Sequence, residues 1–174
     1  MKCIFFDRDG IINKRLMDNY VMKIEEFEFI DDIFPILKFA DDHNFLKIVV
    51  TNQQGVGKGL MSDKELIKIH EYMNQELEKR TIKRFDEIHY CTDLKNTGSK
   101  RRKPEPGMLL EAIEKFGIDP KESWMIGDTD SDMLAGKRAG VKTILISDLV
   151  SSKHADYYFK EHKDLIKDLE DVIV

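Results

Sequence analysis

The chain has 174 residues, of which 41% are hydrophobic and 35% are charged, and this composition suffices for one domain with a buried core. The formal net charge of −5 argues against a general affinity for nucleic acid or for anionic membranes. Two cysteines, Cys3 and Cys91, are too few for a disulfide framework and indicate a reducing compartment. The apolar run at residues 3–6 is too short for a signal peptide or a membrane span, so we expect a cytoplasmic protein.

Short apolar runs predict β-strands, and the longer amphipathic stretches between them predict helices. The runs are continuous rather than alternating, which is typical of strands covered on both faces of a parallel sheet. The predicted strands are residues 3–6, 45–50, 87–91, 123–126 and 142–146. The predicted helices are residues 31–43, a helix beginning at Ser62, residues 106–117, residues 131–139 and residues 164–174.

The residues at the helix ends support this alternation. Ser62 begins a capping box, Pro106 suits the first turn of a helix, and Gly117 and Gly140 suit helix ends. The β-α-β-α order predicts an α/β fold with a doubly wound, mainly parallel sheet, which binds ligands at the carboxyl ends of its strands. Residues 14–28 fit neither pattern and are predicted to form a loop, with a short hairpin, that acts as a lid or binding element.

Two carboxylates follow the first predicted strand. Asp7 and Asp9 lie two residues apart and can converge on one hard cation, such as Mg²⁺, that prefers oxygen ligands. Gly10 frees the backbone for a sharp turn. Taken alone, this short motif favours an ordinary turn, because Asp and Gly are common at strand ends.

Three further polar segments lie at predicted element ends. Thr51 and the glycine-rich residues after it fit a phosphate cradle or a flexible loop. The basic run at residues 100–103 is of a kind usually found on a solvated face, but the prolines that follow hold Lys103 stiffly before a helix. Asp128 offers another metal carboxylate, although its segment also fits a helix N-cap, for which we expect Ser131.

In this order and at these element ends, the motifs resemble the haloacid dehalogenase (HAD) superfamily of phosphatases over residues 4–146. The resemblance implies that Asp7 is a nucleophile forming an aspartyl-phosphate and that Asp9 is the general acid and base. It implies Mg²⁺ bound by the Asp7 carboxylate, the Asp9 carbonyl and Asp128. The remaining implied roles are phosphoryl binding by Thr51, Asn52 and Lys103, and orientation of Lys103 or a metal-bound water by Asp132.

Further segments resemble HAD subfamily IIIA, which contains D-glycero-D-manno-heptose 1,7-bisphosphate phosphatases and histidinol-phosphate phosphatases. Such proteins lack a large cap domain, which implies one domain over residues 1–174 with site-bordering loops at 14–28 and 92–103. The implied reaction removes the 7-phosphate of a sugar bisphosphate, and the extra cations Lys100 and Arg101 would suit its second phosphate. The matching segments are residues 7–10, Asn13, residues 18–21, residues 51–53 and residues 102–108, and within them Gln53 and Arg102 are the implied substrate contacts.

The sequence departs from the subfamily at its zinc loop. Many members carry a Cys-x-His pair and later a Cys-x-Cys pair, but this chain matches only the first ligand, with Cys91. Asp93, Ser99 and Arg101 stand at the other three positions. One thiolate and one carboxylate cannot form a closed tetrahedral zinc site, so we predict no structural zinc.

Other functions stay open on the sequence. A histidinol-phosphate phosphatase fits the same motifs. A polynucleotide 3′-phosphatase shares the segments at 51–53 and 102–104, but the chain is acidic and lacks an obvious aromatic and basic strand-binding groove. A catalytically inactive phosphate-binding module is the alternative that is not an enzyme, against which the intact acidic motifs argue. We expect a monomer that acts on a phosphorylated sugar, with no nucleic-acid or membrane partner.

Overall fold

A computed structural model describes residues 1–17 and 19–174. Asp18, which belongs to the segment 18–21 of the subfamily resemblance, lies outside the described residues. The strands are β1 (Cys3–Phe6), β2 (Leu46–Asn52), β3 (Glu87–Cys91), β4 (Trp124–Gly127), β5 (Lys142–Ile146) and β6 (Tyr157–Phe159). The helices are α1 (Ile33–Asp42), α2 (Gln54–Gly57), α3 (Asp63–Lys79), α4 (Gly107–Phe116), α5 (Asp130–Ala139) and α6 (His162–Ile173).

The strands form one parallel sheet in the order β3-β2-β1-β4-β5-β6. Helices cover both faces, which explains why β1 is buried along its whole length. Ile4 and Phe6 pack on one face with buried residues of α1, α3 and α6. Cys3 and Phe5 pack on the other face with buried residues of α4 and α5. This alternation of side chains across a pleated strand gives the molecule two hydrophobic layers with the sheet between them.

The strand order reverses between β1 and β4. In doubly wound sheets this reversal opens a crevice at the carboxyl ends of the two strands, where ligands bind. The register pairs Phe6 with both Val49 of β2 and Ile126 of β4. Asp7 therefore leaves the sheet beside the end of β4, and its backbone N–H donates to the carbonyl of Ile126 at 2.9 Å.

The predicted fold class is confirmed, and the five predicted strands are all present. The strand β6 was not predicted, because it is three residues long and two of them are exposed. The helix α2 forms within the segment that was read only as a phosphate cradle or flexible loop. In the described part of residues 14–28 there is a 3₁₀ turn at Ile24–Glu26 and no strand, so the expected hairpin is wrong there.

The N-caps match the sequence at one helix and differ at another. Ser62 Oγ accepts from the Glu65 backbone N–H at 3.3 Å, and Glu65 accepts from the Ser62 N–H at 2.7 Å, which confirms the capping box. The cap of α5 is Thr129 rather than Ser131, because Thr129 and Asp132 exchange the same reciprocal bonds. Over residues 1–17 and 19–174, no helix is long and apolar enough to cross a membrane.

Candidate active site

A cavity of about 250 Å³ opens at the carboxyl edge of the sheet. It lies where β1, β2 and β4 end, as the switch-point rule predicts. Seven residues that the sequence assigned to the site line this cavity: Asp7, Asp9, Asn52, Gln53, Arg102, Lys103 and Asp132. Thr51 is buried beside them, and its Oγ1 accepts from Gln53 Nε2 at 2.9 Å.

The ammonium of Lys103 holds the centre of the site together. Its Nζ lies 2.8 Å from Asp7 Oδ1, 2.7 Å from Asp132 Oδ1 and 2.6 Å from the carbonyl oxygen of Val50. The Asn52 side chain positions this lysine, because its amide donates to the Lys103 carbonyl and accepts from the Lys103 N–H, both at 3.1 Å. The end of β2 thus fixes the loop that carries Lys103, although the two segments are far apart in sequence.

Three carboxylates crowd around that lysine. Asp7, Asp128 and Asp132 each offer an oxygen, and these oxygens lie within 4.8 Å of one another. Burial raises the pKa of Asp7 to about 7, since the nearby Lys103 only partly offsets burial and the charges of Asp132 and Asp128. Burial and Asp132 raise the pKa of Asp128 to about 6 against the opposing charge of Arg15. A cluster with this excess of negative charge favours an additional cation.

The side chain of Arg15 supplies a positive charge at the same point. Its Nη2 lies 2.8 Å from the Asp9 carbonyl oxygen, 2.9 Å and 3.0 Å from the two Asp128 oxygens, and 3.9 Å from Asp7 Oδ2. These are the three groups that the sequence assigned to Mg²⁺. Because a cationic nitrogen fits among them, and because all the donors are oxygens, the residues present fit a hard divalent cation.

Gly10 makes the close approach of Asp128 possible. A Cβ at this position would lie 2.0 Å from Asp128 Oδ2, and the backbone φ is +95°, a conformation that side chains with a Cβ rarely adopt. The sharp turn after β1 therefore brings the Asp9 carbonyl and the Asp128 carboxylate to one position.

The carboxylate of Asp9 points into a ring of hydrogen-bond donors. Arg8 Nη2 donates to both oxygens at 2.9 and 3.1 Å, and the amides of Asn13 and Gln53 donate at 2.9 and 2.8 Å. Burial alone would raise the pKa of Asp9, but the charge of Arg8 and these bonds outweigh it and lower the pKa. In this arrangement Asp9 is an ionised carboxylate, which is the form that a general base requires.

A buried histidine lies behind this ring of donors. Nε2 of His70 is 3.3 Å from Nη1 of the fully buried Arg8. Burial, and then the charge of Arg8, lower the pKa of His70 to about 3, so the ring is neutral and accepts from the guanidinium.

Two predicted substrate cations do not reach the cavity, and two unpredicted ones do. Lys100 does not line it, and Arg101 donates instead to Glu111 at 2.8 Å and to the Tyr90 carbonyl. The expectation that these two cations read a second phosphate is therefore wrong. Arg15 and Lys95 line the cavity, and nothing in the local sequence distinguishes them from other loop cations.

Hydrogen bonds hold the loop at residues 91–101, where this sequence lacks most of the zinc ligands of the subfamily. Cys91 Sγ lies 3.5 Å from Asp93 Oδ2 and 3.6 Å from Ser99 Oγ. Ser99 Oγ also accepts from the backbone N–H groups of Arg101 and Arg102 at 3.3 and 3.1 Å. The positions that would carry zinc ligands thus converge, but with hydroxyl and carboxylate groups that bond to one another and to the backbone. The absence of zinc stays a prediction.

Comparison with known proteins identifies the family. The HAD-hydrolase-like family model matches residues 100–172. The D-glycero-alpha-D-manno-heptose-1,7-bisphosphate 7-phosphatase of Campylobacter jejuni is 39% identical over 167 residues, which cover 95% of this chain and 94% of that protein. The D-glycero-beta-D-manno-heptose-1,7-bisphosphate 7-phosphatase of Helicobacter pylori strain 26695 is 35% identical, with 95% of each chain covered.

A solved structure shows the same fold. The D,D-heptose 1,7-bisphosphate phosphatase from B. bronchiseptica, complexed with magnesium and phosphate, superimposes with a TM-score of 0.86 at 23% identity. The alignment covers 98% of this chain and 99% of that one. The chain therefore belongs to the heptose-1,7-bisphosphate 7-phosphatase family of HAD-like phosphatases.

Proposed function

We propose that this chain is a Mg²⁺-dependent phosphatase that removes the 7-phosphate of D-glycero-D-manno-heptose 1,7-bisphosphate through an aspartyl-phosphate on Asp7. The observation that carries the chemistry is the buried contact of Lys103 with Asp7 and Asp132, beside a cation position formed by Asp128 and the Asp9 carbonyl. The names of the Campylobacter and Helicobacter relatives support the substrate.

The charges of the site suit a phosphoryl group. Asp7, the Asp9 carbonyl and Asp128 would hold Mg²⁺, which when bound would offset the charge that keeps a carboxylate from a phosphate dianion. Lys103 already neutralises one oxygen of Asp7 at 2.8 Å and faces the cavity, where it can also bind a phosphoryl oxygen. Asp132 positions Lys103 through its contact at 2.7 Å.

In the first chemical step, an Asp7 oxygen attacks phosphorus, the bond to the sugar oxygen breaks, and Asp9 gives that oxygen a proton. In the second step, water attacks the phosphorus of the aspartyl-phosphate, the bond between phosphorus and the Asp7 oxygen breaks to release inorganic phosphate and restore Asp7, and Asp9 takes the proton of the water. The present ring of donors keeps Asp9 ionised. The acid role therefore requires that Asp9 gain a proton as substrate enters and that some of its bonds to Arg8, Asn13 or Gln53 lengthen.

We further propose a domain organisation, a localisation, an oligomeric state and a class of partner for the chain. The chain would act as a single domain in the cytoplasm, as a monomer, with the loops at 14–28 and 92–103 in place of a cap. Its partner would be a phosphorylated sugar rather than a nucleic acid or a membrane. The relatives act on both anomers between them, since one is named for the alpha and one for the beta sugar.

A phosphate-release panel tests the assignment. It compares the alpha and beta anomers of the heptose bisphosphate with other sugar phosphates, histidinol phosphate, a 3′-phosphorylated oligonucleotide and 4-nitrophenyl phosphate. We expect the highest kcat/KM on one heptose bisphosphate anomer, with all activity lost in EDTA or in Asp7→Asn. A preference for the oligonucleotide or for histidinol phosphate would overturn the substrate, and activity retained by Asp7→Asn would overturn the nucleophile.

A further inference from the structure

A second cavity adjoins the catalytic one. It has a volume of about 440 Å³ and lies between residues 94–99 and residues 102–105. Five residues line both cavities: Asn52, Lys95, Arg102, Lys103 and Ser131. A molecule held at Asp7 can therefore extend into this second space, and Lys95 and Arg102 lie where the two cavities meet.

The cations at this junction differ from those at the reaction centre in how their charges are balanced. Lys103 and Arg15 both contact carboxylates within 3 Å. Neither Lys95 nor Arg102 lies within 4 Å of a carboxylate in the part of the chain that the structure describes, and Arg102 Nη1 donates only to the Asp93 carbonyl at 3.1 Å. Unmatched cations beside a cavity form a site for an anion.

Among the described residues, the one acidic side chain that lines the second cavity does not cancel these charges. Glu105 lines its wall, but its carboxylate binds Arg138 at 2.6 Å. The net charge facing the junction is therefore positive. A phosphate monoester, with its two negative charges and three acceptor oxygens, matches two such cations better than a neutral hydroxyl would.

The loop that carries Lys95 is fixed at both ends, so the ammonium is presented from an ordered backbone. At the first end, α2 packs so closely that a Cβ at Gly57 would lie 2.1 Å from the Thr92 carbonyl oxygen. At the second end, the Gly107 N–H donates to the Lys100 carbonyl at 3.0 Å. Between them, Ser99 Oγ binds two backbone N–H groups.

We propose that Lys95, together with Arg102, binds the second phosphate of the bisphosphate substrate where the two cavities meet. Lys95 is then a specificity-determining residue that makes the chain prefer a bisphosphate to the corresponding monophosphate. This proposal rests on the proposed function, because it requires a substrate with two phosphates. It replaces the two cations that the sequence had indicated, Lys100 and Arg101, with one that lies five residues before Lys100 in the same loop.

The test measures the ratio of kcat/KM for heptose 1,7-bisphosphate to that for heptose 7-phosphate. In Lys95→Gln we expect this ratio to fall about 10- to 100-fold, the equivalent of one charge-assisted hydrogen bond, mainly through KM. The matched control is Lys100→Gln, which removes the same charge from the same loop at a residue that lines neither cavity and should keep the ratio. A second measurement uses Asp7→Asn, where bisphosphate binding can be followed without turnover and should weaken to the same extent on adding Lys95→Gln.

Two outcomes would overturn the proposal. One is a Lys95→Gln ratio within a factor of about two of the wild type, and the other is an equal loss in the Lys100→Gln control. Failure of the proposed function looks different. In that case the wild-type protein hydrolyses 4-nitrophenyl phosphate with Mg²⁺ but shows no preference for the heptose bisphosphate, whatever stands at position 95.

Discussion

Replacing Lys103 by Met should destabilise the fold as well as stop catalysis. The side chains of Lys103 and Asp132 are each 2% exposed, and that of Asp7 is 8% exposed. Met has a similar length, so the change removes the charge and the hydrogen bonds and leaves little cavity. Because two buried carboxylates then lose their shared counter-ion, we expect a loss of about 3–5 kcal/mol in the free energy of unfolding. In a domain of this size that corresponds to a fall in Tm of roughly 6–20 °C.

The loss of stability in Lys103→Met should depend on pH, and the direction of that dependence follows from the pKa of Asp7. In the folded wild-type protein the pKa of Asp7 is raised to about 7, above the unfolded value of about 3.9. The folded state therefore binds more protons than the unfolded state between these values, and stability falls as pH rises through that range. Loss of the Lys103 charge raises the folded pKa of Asp7 further. The difference between wild type and variant should be largest near pH 8 and smaller near pH 5.

Urea unfolding followed by circular dichroism, in EDTA at about pH 8 and about pH 5, measures both effects. The control is Lys100→Met, which changes an exposed lysine and should alter stability by less than about 0.5 kcal/mol. Added Mg²⁺ should recover part of the loss in Lys103→Met, because it supplies positive charge beside Asp7. A loss below about 1 kcal/mol at the higher pH, or an equal loss at both pH values, would refute the reasoning.

Three further predictions concern the cation position and the loop. Arg15→Met should tighten Mg²⁺ binding measured by calorimetry, because the Arg15 guanidinium occupies the same oxygens of Asp9 and Asp128; unchanged or weaker binding would contradict competition. Gly10→Ala should weaken Mg²⁺ binding and lower stability by about 1–3 kcal/mol, because of the positive φ and the contact with Asp128; wild-type values would show that the turn tolerates a Cβ. Metal analysis of the purified chain should find zinc far below one atom per chain, whereas a stoichiometric, tightly bound zinc would show that Cys91 is a ligand.

Local sequence patterns predicted the elements whose signals lie within one segment. The bounds predicted for β1, β3 and β5 agree with the structure. The same reasoning missed Tyr157–Phe159, because this strand has only three residues, two of them exposed, and is identified by its pairing with β5. The cap of α5 was misplaced for a similar reason, since Thr129, Asp130 and Ser131 are all acceptable caps and the reciprocal bonds with Asp132 decide between them.

The residues of the site also fall into two groups, those that a local sequence pattern predicted and those that only the folded chain brings to the cavity. The sequence placed Asp7, Lys103 and Asp128 at element ends, and the structure brings these three ends together at one edge of the sheet. Arg15 and Lys95 could not be predicted, because their positions depend on the paths of two long loops. A cation in a loop has no periodicity or spacing to mark it, so only the folded chain distinguishes Lys95, which lines both cavities, from Lys100, which lines neither.

The most direct test of the central claim is to trap the covalent intermediate on Asp7. In Asp9→Asn, 4-nitrophenyl phosphate needs no proton for its leaving group, so the first step proceeds while hydrolysis lacks its base. We expect a burst of 4-nitrophenolate stoichiometric with the chain, and after acid quenching and borohydride reduction a homoserine in place of Asp7 in the N-terminal peptide. Absence of a burst, or a modified residue other than Asp7, would contradict the account.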